Sequence, residues 1–224
     1  MIAGVDGYKR GWVAAIDLGN GYTDVAPFPV FSDLLAGSEP TLIAIDVPIG
    51  LRAKEDRRCD LLARKLLGRS RGSSVFPAPV QSMLKARSWE EACRIRLKVQ
   101  GKRCSKQVVG IIPKIREVDR LMTPDLQKRV FECHPEVSFA LMNSGDPMTF
   151  RKSTREGRKE RVRLLIQQFP DVQENLSRVS GAASDIIDAY ACLWTARRVL
   201  HGEAVRLPSD PEVNRRGLRA EIVA

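Results

Sequence analysis

Thr41-Leu42-Ile43-Ala44-Ile45-Asp46 is the stretch on which the fold turns. It is a continuous apolar run closed by an acid, the pattern of a parallel strand covered on both faces, and Val47-Pro48-Ile49-Gly50 ends it. Upstream, Ile2 to Asp6 reads as a strand, Gly7 to Gly11 as a turn, and Trp12 to Leu18 as a second strand. Gly19-Asn20-Gly21 then turns the chain into a third strand, Tyr22 to Phe28. Three antiparallel strands followed by a buried parallel one predict a mixed α/β sheet packed against helices.

Beyond Gly50 the apolar spacing becomes helical, with Cys59, Leu62, Ala63, Leu66 and Leu67 on one face, before a loop rich in Ser, Gly and Pro from Ser70 to Pro79. Further helices are expected over Trp89 to Val99 and Val108 to Met122, with Pro113 a point of division in the second. Arg129 to Cys133 returns to a strand, and Pro135 sits where a helix to Met142 begins. Phe150 to Arg163 is polar and basic, after which Leu164, Leu165 and Ile166 resume helical packing. Ala182 to His201 is the clearest helix, striped by Ala183, Ile186, Ile187, Tyr190, Leu193 and Trp194 and closed by Gly202. Leu218 to Val223 reads as a last short strand. The expected organisation is a single domain over 1–224, with a helical insertion at about 52–127 between strands four and five of a five-stranded sheet.

Lys and Arg total 37 against 27 Asp and Glu, a formal charge of +10 that favours a polyanionic partner such as nucleic acid. Only 6% of residues are aromatic, which gives little support to an extended base-stacking platform. Five cysteines without a C-x-x-C pair argue against a disulfide framework and a cysteine zinc site, and read as reduced thiols. No apolar run approaches the roughly 20 residues of a membrane span, and an acid at Asp6 breaks any secretory pattern, so the expected location is cytoplasmic.

If strand four lies beside strand one, Asp6 and Asp46 end about 5 Å apart, at the carboxyl edge where open sheets with crossover helices bind ligands. Glu132 ends the fifth strand at the same edge, and Asp185 and Asp188, spaced i to i+3, share a face near the start of the last long helix. Crowded carboxylates repel one another unless a cation intervenes, so the set implies a hard divalent ion, Mg²⁺ or Mn²⁺, and with it phosphodiester hydrolysis. Plainer readings stand beside these. Asp6 and Asp46 suit turn caps, Asp185 and Glu136 suit helix N-termini, Asp188 suits solvent, and His134 divides between proton shuttle and packing residue.

Gly4-Val-Asp-Gly7 with Gly11-Trp12-Val13, Ile45-Asp-Val-Pro-Ile-Gly-Leu51, Arg57-Arg-Cys-Asp60 and Ser73-Ser-Val-Phe-Pro-Ala-Pro79 form one half of a series of motifs. Ile112-Pro-Lys-Ile115 with Glu117-Val-Asp119, His134-Pro-Glu-Val-Ser-Phe139 and Asp185-Ile-Ile-Asp-Ala189 form the other. In order and spacing the series resembles the domain of unknown function 429 family over nearly the whole chain. The resemblance implies an RNase H-like fold and a predicted nuclease activity. It also implies metal binding by Asp6, Asp46, Asp185 and Asp188, with Glu132 as a further catalytic acid, and it brings Arg57, Arg58, Ser73, Ser74 and Lys114 near the substrate. Two positions depart from the pattern: Tyr8 stands where relatives often have Cys, and Ser184 where they often have another acid.

The leading expectation is therefore a Mg²⁺- or Mn²⁺-dependent nuclease. Its rivals are a nucleotide-binding phosphotransferase or ATPase of the actin-like superfamily, disfavoured by the lack of a second Gly-rich loop, and a non-catalytic nucleic-acid-binding protein.

Overall fold

The computed structural model describes residues 1–37 and 40–224. Strands β1 (Ile2–Tyr8), β2 (Gly11–Asp17) and β3 (Thr23–Phe28) form the antiparallel meander, followed by helix α1 (Phe31–Gly37) and strand β4 (Leu42–Ile45). Helices α2 (Arg58–Arg71), α3 (Trp89–Gln100) and α4 (Lys106–Leu121) precede β5 (Val130–Glu132). Then come α5 (Pro135–Met142), α6 (Arg155–Gln168), α7 (Val172–Asn175) and α8 (Ala183–Leu200). The sheet runs β3-β2-β1-β4-β5, with β1, β4 and β5 mutually parallel, which is the mixed five-stranded α/β arrangement that the order of patterns predicts.

Alternation along the strands divides the core between two faces. Ala3, Val5, Ile43, Ile45 and Val130 pack with α1 and α4, through Phe31, Leu34, Ile112, Ile115 and Val118. Ile2, Ala44 and Phe131 pack on the other face, against Ile186, Ala189, Tyr190 and Leu193 of α8. Helix α8 presses against β1 so closely that a Cβ at Gly4 would lie 1.9 Å from the Leu193 amide nitrogen and 2.2 Å from the Ala189 carbonyl oxygen. Only glycine permits that approach, since every other residue would drive Cβ into helix backbone.

One local expectation needs correction, and two elements go unanticipated. Helix α4 is not divided at Pro113 but runs through it, held by a buried face of Val108, Ile112, Ile115 and Val118. Helix α1 has no counterpart in the sequence reading, because it buries only Phe31 and Leu34 and so shows too short a period to detect. The expected last strand exists as β7 (Arg219–Val223), but it pairs antiparallel with an unanticipated β6 (Arg206–Val213), whose pattern is broken by Pro208 and Pro211 and whose register shifts between Leu207 and Glu212. This second sheet meets the main one through a parallel bridge between Val223 and Cys133. Among the described residues, no helix is long and apolar enough to cross a membrane.

Candidate functional site

Parallel register pairs Val5 with Ile45, and the amide of Asp46 donates to the carbonyl of Val5 at 3.0 Å. Asp6 and Asp46 follow these partners by one residue each, so they emerge side by side, one strand spacing apart. Both continue the alternation of Gly4 and Ala44, which points toward α8, and α8 supplies Asp185 and Asp188. Asp6 is 8% exposed and Asp188 2%. Asp6, Asp46 and Asp185 line a cavity of about 340 Å³ together with Lys114, His134 and Lys152.

Electrostatics follow from this crowding. Burial, and then the neighbouring Asp46 and Asp188 charges, push the Asp6 carboxyl well above the usual carboxylate range. Asp46 is raised to about 7, again by burial first and by Asp188 next. Asp185 is raised by burial and Asp188. The opposing charge is Lys152, whose Nζ donates to Asp188 Oδ2 at 2.8 Å and whose ammonium is held above its ordinary range chiefly by that carboxylate. Burial lowers the pKa of His134, and its Nδ1 is buried with no hydrogen-bond partner among the described residues.

Glu132 has a different role. It stands level with Ile45, one residue short of Asp46, and by alternation points to the face opposite the aspartates. There Arg57 Nη2 and Nη1 donate to its two carboxylate oxygens at 2.6 and 2.7 Å, and the Ile49 amide donates at 2.7 Å. Arg57 also donates to Asp60 and to the Ile49 carbonyl, and is 3% exposed. The network touches the cavity wall but spends its charges internally, anchoring the Val47–Leu51 turn that follows Asp46. Glu136 is likewise buried and paired, with Arg161 at 2.6 Å.

Of the other expected substrate contacts, Ser74 and Lys114 line the cavity, whereas Arg58 is turned to Asp210 on the surface and Ser73 is exposed outside it. Ser74 Oγ donates to the Arg71 carbonyl at 2.7 Å. Lys114 donates to the Gly11 carbonyl and lies 4.3 Å from the Trp12 ring centroid, while Glu117 accepts from Trp12 Nε1 and Asp119 pairs with Arg216. Lys152 escaped the sequence reading because it sits in a run of basic residues that looks like surplus surface charge; only the fold brings it onto Asp188.

The family described as Protein of unknown function (DUF429) matches residues 4–213. The chain belongs to the DUF429 family. No curated protein and no solved structure matches it.

Whether this DUF429 site suits a divalent ion can be judged from its donors. Among the described residues, no group of three or more His, Cys, Asp and Glu side chains is drawn together as an ion-holding cluster. Mg²⁺, however, commonly takes only one or two carboxylates and completes its shell with water and substrate phosphate. Asp6 accepts one hydrogen bond, from the Gly7 amide at 2.6 Å, and the Asp46 carboxylate is shifted by burial and charge alone. Two adjacent oxygen donors, mutually repelled and with capacity to spare, fit such an ion.

Proposed function

We propose that this DUF429 protein is a divalent-metal-dependent phosphodiesterase that hydrolyses nucleic acid on an RNase H-like scaffold. The observation that carries the reading is the pair of carboxylates, Asp6 and Asp46, side by side at the ends of neighbouring parallel strands and both raised above the ordinary range. Keeping two carboxyls with raised pKa values, one buried and one partly buried, costs stability, and proteins keep such arrangements where chemistry uses them. The net charge of +10 around an acidic recess suits a polyanionic substrate.

Asp6 and Asp46 would hold Mg²⁺ or Mn²⁺, with Asp185 and Asp188 flanking from α8. When bound, the ion supplies positive charge against the phosphate oxygens and lowers the pKa of water beside it. The remaining work belongs to the chain. Lys152 neutralises Asp188 and presents an ammonium to the recess, Lys114 adds a second from α4, and His134, whose pKa burial lowers, lines the recess with a ring nitrogen that could take a proton.

The test is cleavage of labelled DNA and RNA by the full chain in Mg²⁺ or Mn²⁺. Asp6→Asn and Asp46→Asn are each expected to reduce turnover roughly a hundred- to a thousandfold. Cleavage that survives either substitution overturns this assignment of the site.

A further inference from the structure

The acids are recessed, and part of the lining of their cavity is apolar. The cavity that holds Asp6 and Asp46 is also lined by Phe76, from the loop after α2, and by Ile111, from α4. Both are open to solvent, Phe76 at 40% and Ile111 at 37%, and both line the same recess as the acids. Val75 and Ile115 beside them are buried, so the sequence does not lack the means to bury a residue here. With its volume of about 340 Å³, the cavity sits near the lower end of small-ligand sites, which run from roughly 300 to 1,000 Å³.

We infer that this cavity admits a single unpaired nucleotide, its base against Phe76 and Ile111 and its phosphate at the Asp6–Asp46 end. The inference rests on the phosphodiesterase reading and narrows it. A stacked, paired nucleotide keeps both faces of its base occupied by neighbours and its phosphate on the outside of a stiff rod, so it cannot present base and phosphate together to a recess. A single strand, an unpaired overhang or an extruded nucleotide can, and its exposed ring face gains from an aromatic or aliphatic wall. One ring serves one base, in keeping with a chain that is poor in aromatic residues.

The experiment is fluorescence anisotropy with the full chain in Ca²⁺, using one labelled sequence in three forms: single strand, blunt duplex, and duplex with a one-nucleotide bulge, each as DNA and as RNA. Phe76→Ala should weaken binding of the single strand and the bulge roughly tenfold, within the range that loss of one stacked base produces, and leave the blunt duplex unchanged. Phe76→Trp should restore the affinity. Because Phe76 is exposed, the variants are expected to melt with the wild type, which circular dichroism checks. Equal weakening of all three forms, or of none, overturns the inference. Cleavage is read separately. A Phe76 effect on binding with no cleavage of any form in Mn²⁺ sinks the reaction and keeps the nucleotide site; cleavage without a Phe76 effect does the reverse. Preference for the DNA or the RNA series identifies the sugar accepted.

Discussion

The Asp46 amide donates to the Val5 carbonyl across 3.0 Å, and this single ladder bond fixes the side-chain pair Asp6 and Asp46 on one face of the sheet. The strands, not the aspartates, settle how close the two charges come. Burial in that crowded position, with the Asp188 charge next, has a measurable consequence for Asp46. In the unfolded chain Asp46 loses its proton near the ordinary value of 3.8, whereas in the folded chain it does so near 7. Between these values the folded protein binds more protons, so stability is greatest at the acid end of the window and falls as pH rises through it. Relative to Asp46→Asn, the wild type should lose on the order of 2 kcal/mol from pH 5 to pH 8, or about 4–8 °C in melting temperature. Mg²⁺ added at pH 8 should recover part of this in the wild type and less in the variant. Parallel melting curves across the window would refute the burial of Asp46 beside Asp188.

Lys152 and Asp188 predict a second pH effect. The lysine side chain is 56% exposed and the aspartate 3%, so removing the lysine leaves a buried carboxylate without its counter-ion. Lys152→Met is expected to cost about 2 kcal/mol at pH 8, below the full penalty for a wholly buried pair because one partner is solvated. The loss should shrink at pH 5, where the neighbouring acids take up protons, and Lys152→Met/Asp188→Asn should be milder than the single change. Urea denaturation at the two pH values measures it; a neutral Lys152→Met would show that the contact does not form in solution.

Arg57 separates a structural role from a substrate-binding one. Both it and Glu132 are buried and joined by two short hydrogen bonds. Arg57→Met should destabilise by about 3–5 kcal/mol, because Glu132 and Asp60 are left with unpaired charge. Arg57→Met/Glu132→Leu should regain a substantial part of the loss. A substrate-binding arginine would behave differently: unchanged stability, with KM alone affected.

Cys93 and Cys104 bring their Sγ atoms to 2.8 Å between α3 and the segment leading into α4. Cys93 is half-buried, while burial and Cys93 itself push the Cys104 thiol up to about 11, so Cys93 should react first. Excess oxidised glutathione is expected to form a mixed disulfide at Cys93, which Cys104 resolves. The two thiols then become one disulfide and two molecules of reduced glutathione are released. Closing so short a loop adds roughly 3 kcal/mol of stability if the geometry accepts the bond. Peptide mapping without reductant should find the crosslink in the wild type and none in Cys93→Ser; five free thiols after treatment would contradict it.

Much of this architecture can be read from residue order. The five main strands follow from their apolar runs and turn glycines, because a buried parallel strand such as Ile43 to Ile45 leaves no other reading. Convergence of Asp6 and Asp46 needs only the further step of placing β4 beside β1. Glu132 shows where that reasoning stops. Strand ends can be counted from sequence, but the face a side chain takes depends on register, and Glu132 is one position out of phase with Asp46. Lys152 is illegible for another reason, and Phe76 stands within one of the motifs but without a role of its own. Each sits outside the regular elements, and long-range packing carries it to the cavity. Strand β6 was hidden by its own prolines, which a strand at a sheet edge tolerates.

The contact between Gly4 and the backbone of α8 has a mechanical consequence. Main chain meets main chain there, with no side chain between them to change rotamer, so β1 and α8 move as one block and the offset of Asp6 from Asp188 behaves as a fixed length. Amide hydrogens around Gly4 and Leu193 should be among the last in the molecule to exchange. Lys152 and Phe76 line the same cavity from segments outside the helices and strands, so any accommodation to a bound molecule is expected there rather than in the β1–α8 block.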